Sequence, residues 1–565
     1  EILPWFMAAR ALFHWKTIED YYKTYLICDV SQLCDCMEFF ASNVHNEFGE
    51  EAHAYYGTPS LTWGAWLKQN VYELQPVRED MYDIINSSIR GGQTGAMTRY
   101  FDRDTIDEKA FMCDLDCNSL YATVMLKFKY PCHDFRYENM NGICEDNILD
   151  MIKRLHEDGR SGFVEVDMDV YDKTSMQSYM PVASKRTITG CYNYHAMACY
   201  AYGMGENPDT LSFTGLVNVA GEHLHYCCHT RLLEFYIEHK FVNIKHVYRL
   251  LSGVEEPVFH DYVQNNLEQR KKFAADPIKK MLYKLLNNSL YGKTYEDITH
   301  RKDLRMELTS QITENDPSVV RIINQYGKWT LFERKQTEFF MSKPVYLGAC
   351  ITEYSKLWMY KFFYDKIRPT FPMAEVYYTD TDALTIKFPA KYDWDDGDLK
   401  PVVTSMLDLA NQLNTEEEQI IDTSNFDVAP TEARHTRHNN EPGLFKSETG
   451  SKSILKMIAL RAKTYIMLCE DGVIKMSVKG CPLAEKSKLT FDDFYSVLMG
   501  DGIQKIINYD AIRSKFHIVK SVNLSRVVLS ADDRKRYIAD DKIHTYPLFC
   551  ARHMLNMENG IDLDK

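Results

Sequence analysis

The sequence predicts a chain that mixes α-helices with β-strands, and three stretches support this assignment. Residues 377–386 form an apolar run that carries two carboxylates at a turn and then resumes as a strand. Residues 111–121 begin as an apolar strand and end in acids followed by Asn-Ser, a pair that can cap a helix. Residues 276–292 begin with Asp-Pro and end with Gly, as helices do. With 565 residues, 45% of them hydrophobic, the chain can bury several cores and is expected to be multi-domain.

Charge and cysteine content restrict the class of protein. The net charge of −14 argues against a protein that coats DNA nonspecifically, although a groove with a local basic lining stays possible. Fifteen cysteines without regular pairing spacing favour a reducing, intracellular setting. We see no apolar run of membrane-spanning length and no signal peptide, so no membrane partner is expected. Because the first residue is Glu rather than Met, we expect a fragment or a processed product.

The carboxylates of residues 377–386 are the first candidates for chemistry. Asp380 and Asp382 are two positions apart, and on an extended segment such side chains point the same way. Two convergent carboxylates favour a metal ion, although a lone Asp-x-Asp is also common at turns for backbone reasons. Asp116, at the end of residues 111–116, supplies a third carboxylate.

The helix of residues 276–292 carries a polar stripe. Lys280, Lys284, Asn288 and Tyr291 recur at helical spacing. Lysines at one end and an aromatic ring at the other suit the phosphates and base of a nucleoside triphosphate. Taken alone, such a stripe is more typical of an amphipathic surface helix.

Together these stretches resemble the three polymerase signatures of family B DNA polymerases. Residues 116–121 match D-x-x-S-L-Y, residues 284–292 match K-x-x-x-N-S-x-Y-G, and residues 378–383 match Y-x-D-T-D-S except that Ala383 replaces the final Ser. The subgroup resembles the protein-primed polymerases of bacteriophages, adenoviruses, linear plasmids and Polinton-type elements. That assignment rests on Lys272 upstream of the helix, and on long stretches after the first motif and between the second and third.

The resemblance implies an α+β fold of right-hand type, with palm, fingers and thumb, an antiparallel palm sheet and two insertions. The implied divisions are residues 1–50 as the C-terminal remnant of a 3′–5′ exonuclease domain, 51–109 as a linker, 110–128 and 343–485 as palm, 129–254 as the first terminal-protein-region insertion, 255–295 as fingers, 296–342 as the second insertion and 486–565 as thumb.

The resemblance also implies site residues. Asp116 and Asp382 are the expected metal ligands, with Asp380 beside them and the Cys117 backbone carbonyl as a further ligand. The expected cofactor is Mg²⁺, two ions per active site, for which Mn²⁺ can substitute. The implied dNTP-binding residues are Tyr121, Lys272, Lys284, Asn288 and Tyr291.

A third set is implied to contact primer or template: Arg90, Gly91, Gly92, Ser119, Thr352, Lys356, Lys463 and Tyr465. Two of these motifs depart from the family. Ile89 stands where Y-x-G-G has Tyr, which leaves a simple loop as an alternative. Lys356 stands where the family has Arg, so the charge is kept and the bidentate fork is lost. On a strand, Lys463 and Tyr465 would share a face.

An N-terminal motif resembles part of an exonuclease. Tyr25 and Asp29 match the family's Y-x-x-x-D, within a run of helical spacing that extends to Phe40. Proofreading needs two upstream motifs, and none is found before Tyr25. We therefore predict no 3′→5′ exonuclease activity in these residues, and an ordinary helix is the alternative interpretation.

Other segments carry weaker expectations. Residues 148–156 suggest a helix, 162–170 a strand and 343–366 a helix. The His/Cys cluster at 223–229 lacks the paired spacing of zinc knuckles. Residues 296–342 could equally be a plain hairpin with a solvated, mixed-charge face. From residue 489 the pattern predicts helices, with a basic element at 534–536.

The function that the resemblance implies is DNA-directed DNA polymerase, acting in viral or mobile-element replication. The expected partners are primer-template DNA, dNTPs and a terminal protein primer. Two alternatives remain: a degenerate polymerase that acts as a DNA- or terminal-protein-binding scaffold, and a palm enzyme that copies RNA or makes RNA.

Overall fold

The computed structural model describes residues 2–106, 110–170, 179, 181–189, 212–297, 302–312, 316–335, 341, 343–389, 403–426, 440–500, 502–515, 518–539 and 541–548. It mixes helix and sheet, as predicted, and divides into two compact units. Unit 1 comprises Glu1–Val71 and Asp261–Thr294, and unit 2 comprises Tyr72–His260 and Tyr295–Lys565.

Unit 1 is built from helices. They are Ile2–Leu12, Ile18–Phe48, the short 3₁₀ turn Ala52–Ala54, Thr58–Gln69, most of His260–Lys272, and Pro277–Thr294. Thr17 and Asp20 form a capping box at the start of Ile18–Phe48, and Gly49 ends that helix with φ +63°. Only the C-terminal end of this helix is buried, where Val44 packs with Ala52 and Leu61.

The helix Pro277–Thr294 begins where the sequence predicts. The Asp276 carboxylate accepts hydrogen bonds from the backbone N–H groups of Ile278, at 3.0 Å, and Lys279, at 3.1 Å. The predicted stop at Gly292 is wrong by two residues. Gly292 does not take the positive φ of a helix-ending glycine, so the helix continues to Thr294.

The central sheet of unit 2 positions the candidate site. Its strand order is Thr94–Ala96, Glu375–Asp380, Ala383–Phe388, Phe111–Cys117, Phe445–Ser447 and Ile421–Asp422. The neighbouring strands are antiparallel except for the last pair. The strand Phe111–Cys117 is buried along almost its whole length, which agrees with the apolar run of its first three residues.

Two four-stranded sheets accompany the central sheet. One has the order Ile474–Val478, Thr464–Cys469, Ile454–Arg461, Tyr100–Asp102, and the other has the order Tyr130–Tyr137, Val242–Glu256, Arg160–Val170, Gly221–His229. The second sheet confirms the predicted strand at 162–170, and Ile148–Glu157 confirms the helix predicted at 148–156.

The remaining strands correct two expectations. Asp303–Leu308, Trp329–Arg334 and Val319–Tyr326 form a three-stranded sheet, one strand more than a hairpin. After residue 489 the described chain has the helix Phe491–Met499 and then a long hairpin, Lys505–Lys515 with Ile518–Leu529, instead of the predicted run of helices. Two further strand pairs are Ala183–Thr189 with Ser212–Asn218 and Tyr537–Ile538 with Thr545–Tyr546.

The helix Val345–Lys361 runs through the interior of unit 2 and confirms the helix predicted at 343–366. Almost all of its side chains are buried, and it continues into the π-helical turn Phe362–Ile367 and then Arg368–Thr370. The other helical segments of this unit are Glu79–Ser88, Arg103–Ile106, Leu120–Lys127, Thr230–Glu238, Thr309–Gln311, Met406–Leu413 and Leu483–Lys486. Within the described ranges, none of the helices is long and apolar enough to cross a membrane.

Candidate active site

Two carboxylates flank a tight turn, residues 380–382, which we call the carboxylate turn. Asp380 ends one strand of the central sheet and Asp382 precedes the next. Thr381 between them has φ +69°, and the Asp382 N–H donates to the Asp380 carbonyl at 2.8 Å. The expected extended spacing is therefore wrong in detail, because a turn separates the two residues.

Asp116 lies beside this turn on the neighbouring strand. In the register of the sheet, Asp116 pairs with Ala383, and the Cys117 N–H donates to the Asp382 carbonyl at 2.8 Å. Asp114, two residues earlier, is buried and accepts a hydrogen bond of 2.9 Å from Thr385 Oγ1. The Asp114 carboxylate is therefore bonded within the sheet, while Asp116 is half-buried at the end of its strand.

Burial and like charge disturb the ionisation of these carboxylates. The pKa of Asp382 is raised, mainly by burial and further by the charges of Asp380 and Glu448. The pKa of Asp114 is raised by burial as well, with smaller contributions from the same two acids. Negative charge is thus concentrated at one end of the central sheet, and a cation there would relieve it.

Lys463 supplies a positive charge beside these carboxylates. Its Nζ lies 3.2 Å from Asp380 Oδ1, yet this buried oxygen accepts no hydrogen bond from the described residues. Lys463 sits in the turn between Ile454–Arg461 and Thr464–Cys469 with φ +60°, and its N–H donates to the Tyr378 hydroxyl at 2.8 Å. The expectation that Lys463 and Tyr465 share a face of one strand is therefore wrong, because Lys463 precedes the strand.

Tyr465 also lies close to the carboxylates. Burial, followed by the charges of Asp114, Asp380 and Glu448, raises the pKa of Tyr465 to about 12. Its ring centroid is 5.1 Å from that of Tyr378.

Glu448 is an acidic residue that the sequence analysis missed. It follows the strand Phe445–Ser447, and its N–H donates to the Asp114 carbonyl at 2.8 Å. Its charge helps to raise the pKa of both Asp114 and Asp382. An acid directly after a strand is a detectable signal, but its importance depends on the pairing of that strand with Phe111–Cys117, more than 300 positions away.

Residues 90–93, which we call the anchor segment, touch the carboxylate turn. The Gln93 carbonyl accepts a hydrogen bond of 2.9 Å from the Thr381 N–H. A Cβ atom on Gly92 would lie 2.4 Å from Thr381 Cγ2, so only glycine permits this approach. Gly91 is exposed and has open space around it.

The guanidinium of Arg90 is directed into the protein. Its Nη1 donates to the Cys227 carbonyl at 2.6 Å, and its Cζ lies 4.0 Å from the centroid of the Tyr226 ring. Arg90 is 8% exposed, so this conformation does not support the predicted contact with template.

Thr352 and Lys356 are buried on the helix Val345–Lys361. Thr352 Oγ1 donates to the Ala349 carbonyl at 2.8 Å. Lys356 Nζ lies 2.8 Å from Glu353 Oε1 and donates to the Arg90 carbonyl at 2.8 Å. The predicted contact of Lys356 with a nucleic-acid phosphate is not supported, because its ammonium faces the interior.

The remaining predicted residues of unit 2 lie just after Asp116. Ser119 occupies the N-cap position of Leu120–Lys127 with φ +53° and ψ +53°, but its side chain makes no capping hydrogen bond, contrary to expectation. Tyr121 is half-buried in the first turn of that helix.

Four of the five predicted nucleotide-binding residues, namely Lys272, Lys284, Asn288 and Tyr291, belong to unit 1, whereas Tyr121 and the carboxylates belong to unit 2. On Pro277–Thr294, Lys284 and Asn288 are exposed and Tyr291 is half-buried, while Leu282, Leu286 and Leu290 are among the residues that cover the buried face. Lys272 is exposed at the end of His260–Lys272. The helix and its exposed stripe are confirmed, and the nucleotide role stays a prediction.

Tyr25 and Asp29 lie one turn apart on the exposed part of Ile18–Phe48. A hydrogen bond from the Tyr25 hydroxyl to the Asp29 carboxylate raises the pKa of Tyr25. This pairing is the local contact that the spacing of four residues allows.

No group of three or more His, Cys, Asp and Glu side chains that could hold a metal ion occurs in the part of the chain that the structure describes. This finding covers the carboxylate turn and the cluster at 223–229. In that cluster, His223 Nδ1 is 2.8 Å from Ser184 Oγ, and His225 Nδ1 is 2.8 Å from Glu165 Oε1.

Comparison with known proteins gives one family match. Residues 14–189 match the family described as DNA polymerase type B, organellar and viral. The matched region contains Asp116 and the anchor segment and ends before the helix Pro277–Thr294 and the carboxylate turn. It supports the resemblance inferred from residues 116–121, whereas residues 284–292 and 378–383 lie outside the matched region.

The chain is also similar to solved polymerase structures. Phi29 DNA polymerase complexed with primer-template DNA has 14% identity and a TM-score of 0.47, covering 86% of this chain and 70% of that one. Its ternary complex with incoming nucleotide substrates has 15% identity and a TM-score of 0.46, covering 84% and 68%. The family B DNA polymerase of the archaeon Pyrobaculum calidifontis has 10% identity and a TM-score of 0.24, covering 80% and 36%. No curated protein sequence matches the chain significantly.

Proposed function

We propose that the chain is a DNA-directed DNA polymerase. The premise is the match of residues 14–189 to the organellar and viral family of type B DNA polymerases. In this proposal it transfers nucleotides from dNTPs to the 3′-hydroxyl of a primer paired with a template. The central sheet serves as the palm, Pro277–Thr294 as part of the fingers, and the residues after 486 as the thumb.

One observation carries the proposal. The register of the central sheet pairs Asp116 with Ala383, and the Cys117 N–H binds the carbonyl of Asp382. Two carboxylates that are more than 260 positions apart in the sequence are thereby fixed at the same end of two adjacent strands. Template-directed nucleotidyl transfer requires such a pair of carboxylates to hold metal ions.

The residues present fit Mg²⁺. The ion prefers carboxylate oxygens and is usually held by one or two carboxylates together with water and phosphate oxygens, so a cluster of three protein ligands is not required. Burial and the charges of Asp380 and Glu448 raise the pKa of Asp382, so a cation bound at this end of the sheet would relieve the repulsion between the carboxylates. Asp116 and Asp382 would hold two Mg²⁺ ions, with the Cys117 carbonyl as a further ligand. Bound there, the ions would acidify the primer hydroxyl and neutralise the triphosphate.

The other residues of unit 2 bind and orient in this proposal. Lys463 neutralises Asp380 through their 3.2 Å ion pair and can exchange that carboxylate for a primer phosphate. Tyr465, fixed against Tyr378, contacts the terminal nucleotide of the primer. Tyr121 packs under the sugar and excludes a 2′-hydroxyl.

The helix Pro277–Thr294 supplies the triphosphate site. Lys284 is exposed and free of any ion pair within the described residues, which suits a group that must bind phosphate. Lys272 adds a second cation, while Asn288 and Tyr291 line the nascent base pair.

Protein priming completes the proposal. In it the first nucleotide is joined to a hydroxyl of a terminal protein, during replication of viral or mobile-element DNA. The direct assay is transfer of a labelled dNMP onto protein in a reaction that contains template and no primer.

The experiment that tests the polymerase is Mg²⁺-dependent extension of a primed DNA template by the wild type and Asp382→Ala. We expect extension by the wild type, a loss of about 1,000-fold in the variant, and a strong preference for dNTPs over NTPs. Asp150→Ala, on the exposed face of Ile148–Glu157, is the matched control and should extend normally.

Two results would contradict the proposal. Extension that survives Asp382→Ala would remove the carboxylate turn from the chemistry. Tight DNA binding without any extension by the wild type would favour a scaffold.

A further inference from the structure

The helix Val345–Lys361 contains an ion pair that is shut off from solvent. Lys356 Nζ is 2.8 Å from Glu353 Oε1, and their side chains are 5% and 0% exposed. Glu353 Oε2 also accepts a hydrogen bond of 3.3 Å from the His229 N–H. Burying two charges is costly, and apolar side chains of similar size would often give equal or greater stability. Stability alone therefore does not account for this pair.

The same lysine reaches the anchor segment. Lys356 Nζ donates to the Arg90 carbonyl at 2.8 Å, and this contact is also buried. One helical turn later, the Tyr360 hydroxyl lies 3.4 Å from Gln93 Oε1, while Gln93 Nε2 donates to Asn218 Oδ1 at 2.8 Å. One face of a single helix thus contacts both ends of the anchor segment.

The anchor segment in turn contacts the carboxylate turn through the backbone. The Gln93 carbonyl accepts the Thr381 N–H, and the next residue, Thr94, pairs with Asp380 in the sheet. Gly92 brings the segment against the Thr381 side chain. Thr381 has positive φ, which is unfavourable for a β-branched residue, so the turn needs such support to keep its shape.

We propose that Glu353 and Lys356 are positioning residues that hold the anchor segment against the carboxylate turn and thereby fix Asp380 and Asp382 for catalysis. Glu353 orients the Lys356 ammonium, Lys356 holds the Arg90 carbonyl, and residues 92–94 hold Thr381 and Asp380. The inference rests on the proposed function, and it gives Lys356 a role in the interior instead of at a nucleic-acid phosphate.

The first test is hydrogen exchange, which reads the position of the turn without any assay of activity. The variant is Lys356→Met, which keeps the length of the side chain and removes the donor. Because the Thr381 N–H is bonded to Gln93, a loosened anchor segment should expose it. We expect exchange at least about tenfold faster in peptides that span residues 377–386, and no change in the hairpin Lys505–Lys515 with Ile518–Leu529.

A matched control and a double variant separate positioning from stability. Lys361→Met is the same substitution at an exposed position of the same helix and should change nothing. Glu353→Gln combined with Lys356→Met removes both buried charges and should recover the melting temperature that Lys356→Met alone loses. Exchange at 377–386 should stay fast in the double variant, because methionine still offers no donor to the Arg90 carbonyl.

Single-turnover extension gives the second readout. A turn displaced by a fraction of an ångström should lower the maximal rate about 10- to 100-fold and leave the Kd for primer-template unchanged. If Lys356 contacted a phosphate instead, its substitution would raise that Kd and reduce the salt dependence of binding by about one counterion.

The outcomes are distinct. Fast exchange in both variants, together with a lower rate at constant Kd, supports the positioning role. Unchanged exchange in Lys356→Met, or exchange that recovers together with melting temperature in the double variant, overturns it. Absence of extension by the wild type would refute the proposed function, while the exchange data would still decide whether Lys356 holds the turn.

Discussion

The carboxylate turn and the helix Pro277–Thr294 hold charge in opposite ways. At the turn the ionisable groups are half-buried, and the backbone around them is bonded on both sides, to Gln93 and to Cys117. On the helix the cations Lys280 and Lys284 are exposed, and only the opposite face is buried.

The proposed function accounts for this difference. A group that orients metal ions must keep its position to within a fraction of an ångström, which burial and backbone hydrogen bonds ensure at the expense of desolvation. A group that captures a triphosphate must stay hydrated until the ligand arrives, and a flexible lysine on a stable helix meets that need. Substitutions at the turn should therefore alter rate, and substitutions on the helix should alter affinity.

The largest effect is expected when the two acids of the strand Phe111–Cys117 are substituted one at a time. Asp116→Asn should reduce the single-turnover extension rate about 1,000-fold, because the amide is a poor ligand for Mg²⁺. Asp114→Asn should stay within about tenfold of the wild type, because the amide oxygen still accepts the hydrogen bond from Thr385. The reverse ranking would move the functional carboxylate by two residues.

A buried histidine away from the turn tests burial as the cause of altered ionisation. His223 is 1% exposed, and burial lowers its pKa to about 4, from an ordinary value of about 6.5. Between these two values the unfolded chain binds a proton that the folded chain does not. The free energy of unfolding should therefore fall as pH falls from 6.5 to 4, by about 3 kcal/mol in total.

Urea unfolding at pH 7 and pH 4 measures this loss. His223→Gln, which keeps a donor for the Val219 carbonyl, should lose about 3 kcal/mol less than the wild type over that interval. His225→Gln is the control, because that side chain is 61% exposed. Equal losses in all three proteins would mean that His223 is protonated in the folded state.

The helix should respond to substitution in affinity alone. Lys284→Ala should raise the KM for dNTP about 10- to 100-fold, the effect of one lost hydrogen bond to a charged group, with little change in kcat or melting temperature. Lys279→Ala is the matched control on the same helix, since the Lys279 ammonium lies 4.3 Å from the centroid of the Phe273 ring. A lower kcat at constant KM in Lys284→Ala would mean that the helix acts in the chemical step.

The sequence predicted the features that depend on neighbours in the chain. Asp276 is a cap because its carboxylate reaches N–H groups two and three residues on, and the carboxylates of 377–386 are visible because an apolar strand surrounds them. The prediction of helices after residue 489 is wrong for the hairpin that begins at Lys505, where the apolar residues at 507 and 511 fit a helical period as well as an extended one.

What the sequence could not predict depends on distant pairing. The burial of Lys356 requires the anchor segment, 266 positions earlier in the chain, to supply a carbonyl. Glu448 becomes relevant only because its strand pairs with that of Asp116. A lysine in a polymerase motif reads as a phosphate ligand from sequence alone, and only tertiary packing distinguishes it from a positioning group.

The smallest effect is expected at Ala383, which replaces the final Ser of the motif at residues 378–383. Ala383 pairs with Asp116 in the sheet, and its carbonyl accepts a hydrogen bond of 3.0 Å from Thr379 Oγ1, so the backbone already fixes this position without the family's serine. Ala383→Ser should change the extension rate by no more than about fivefold, the scale of one added neutral hydrogen bond. The measurement is single-turnover extension beside Asp116→Asn, whose loss sets the scale. An inactive wild type that Ala383→Ser restores would mean that the side chain at 383, and not the backbone of the turn, positions the carboxylates.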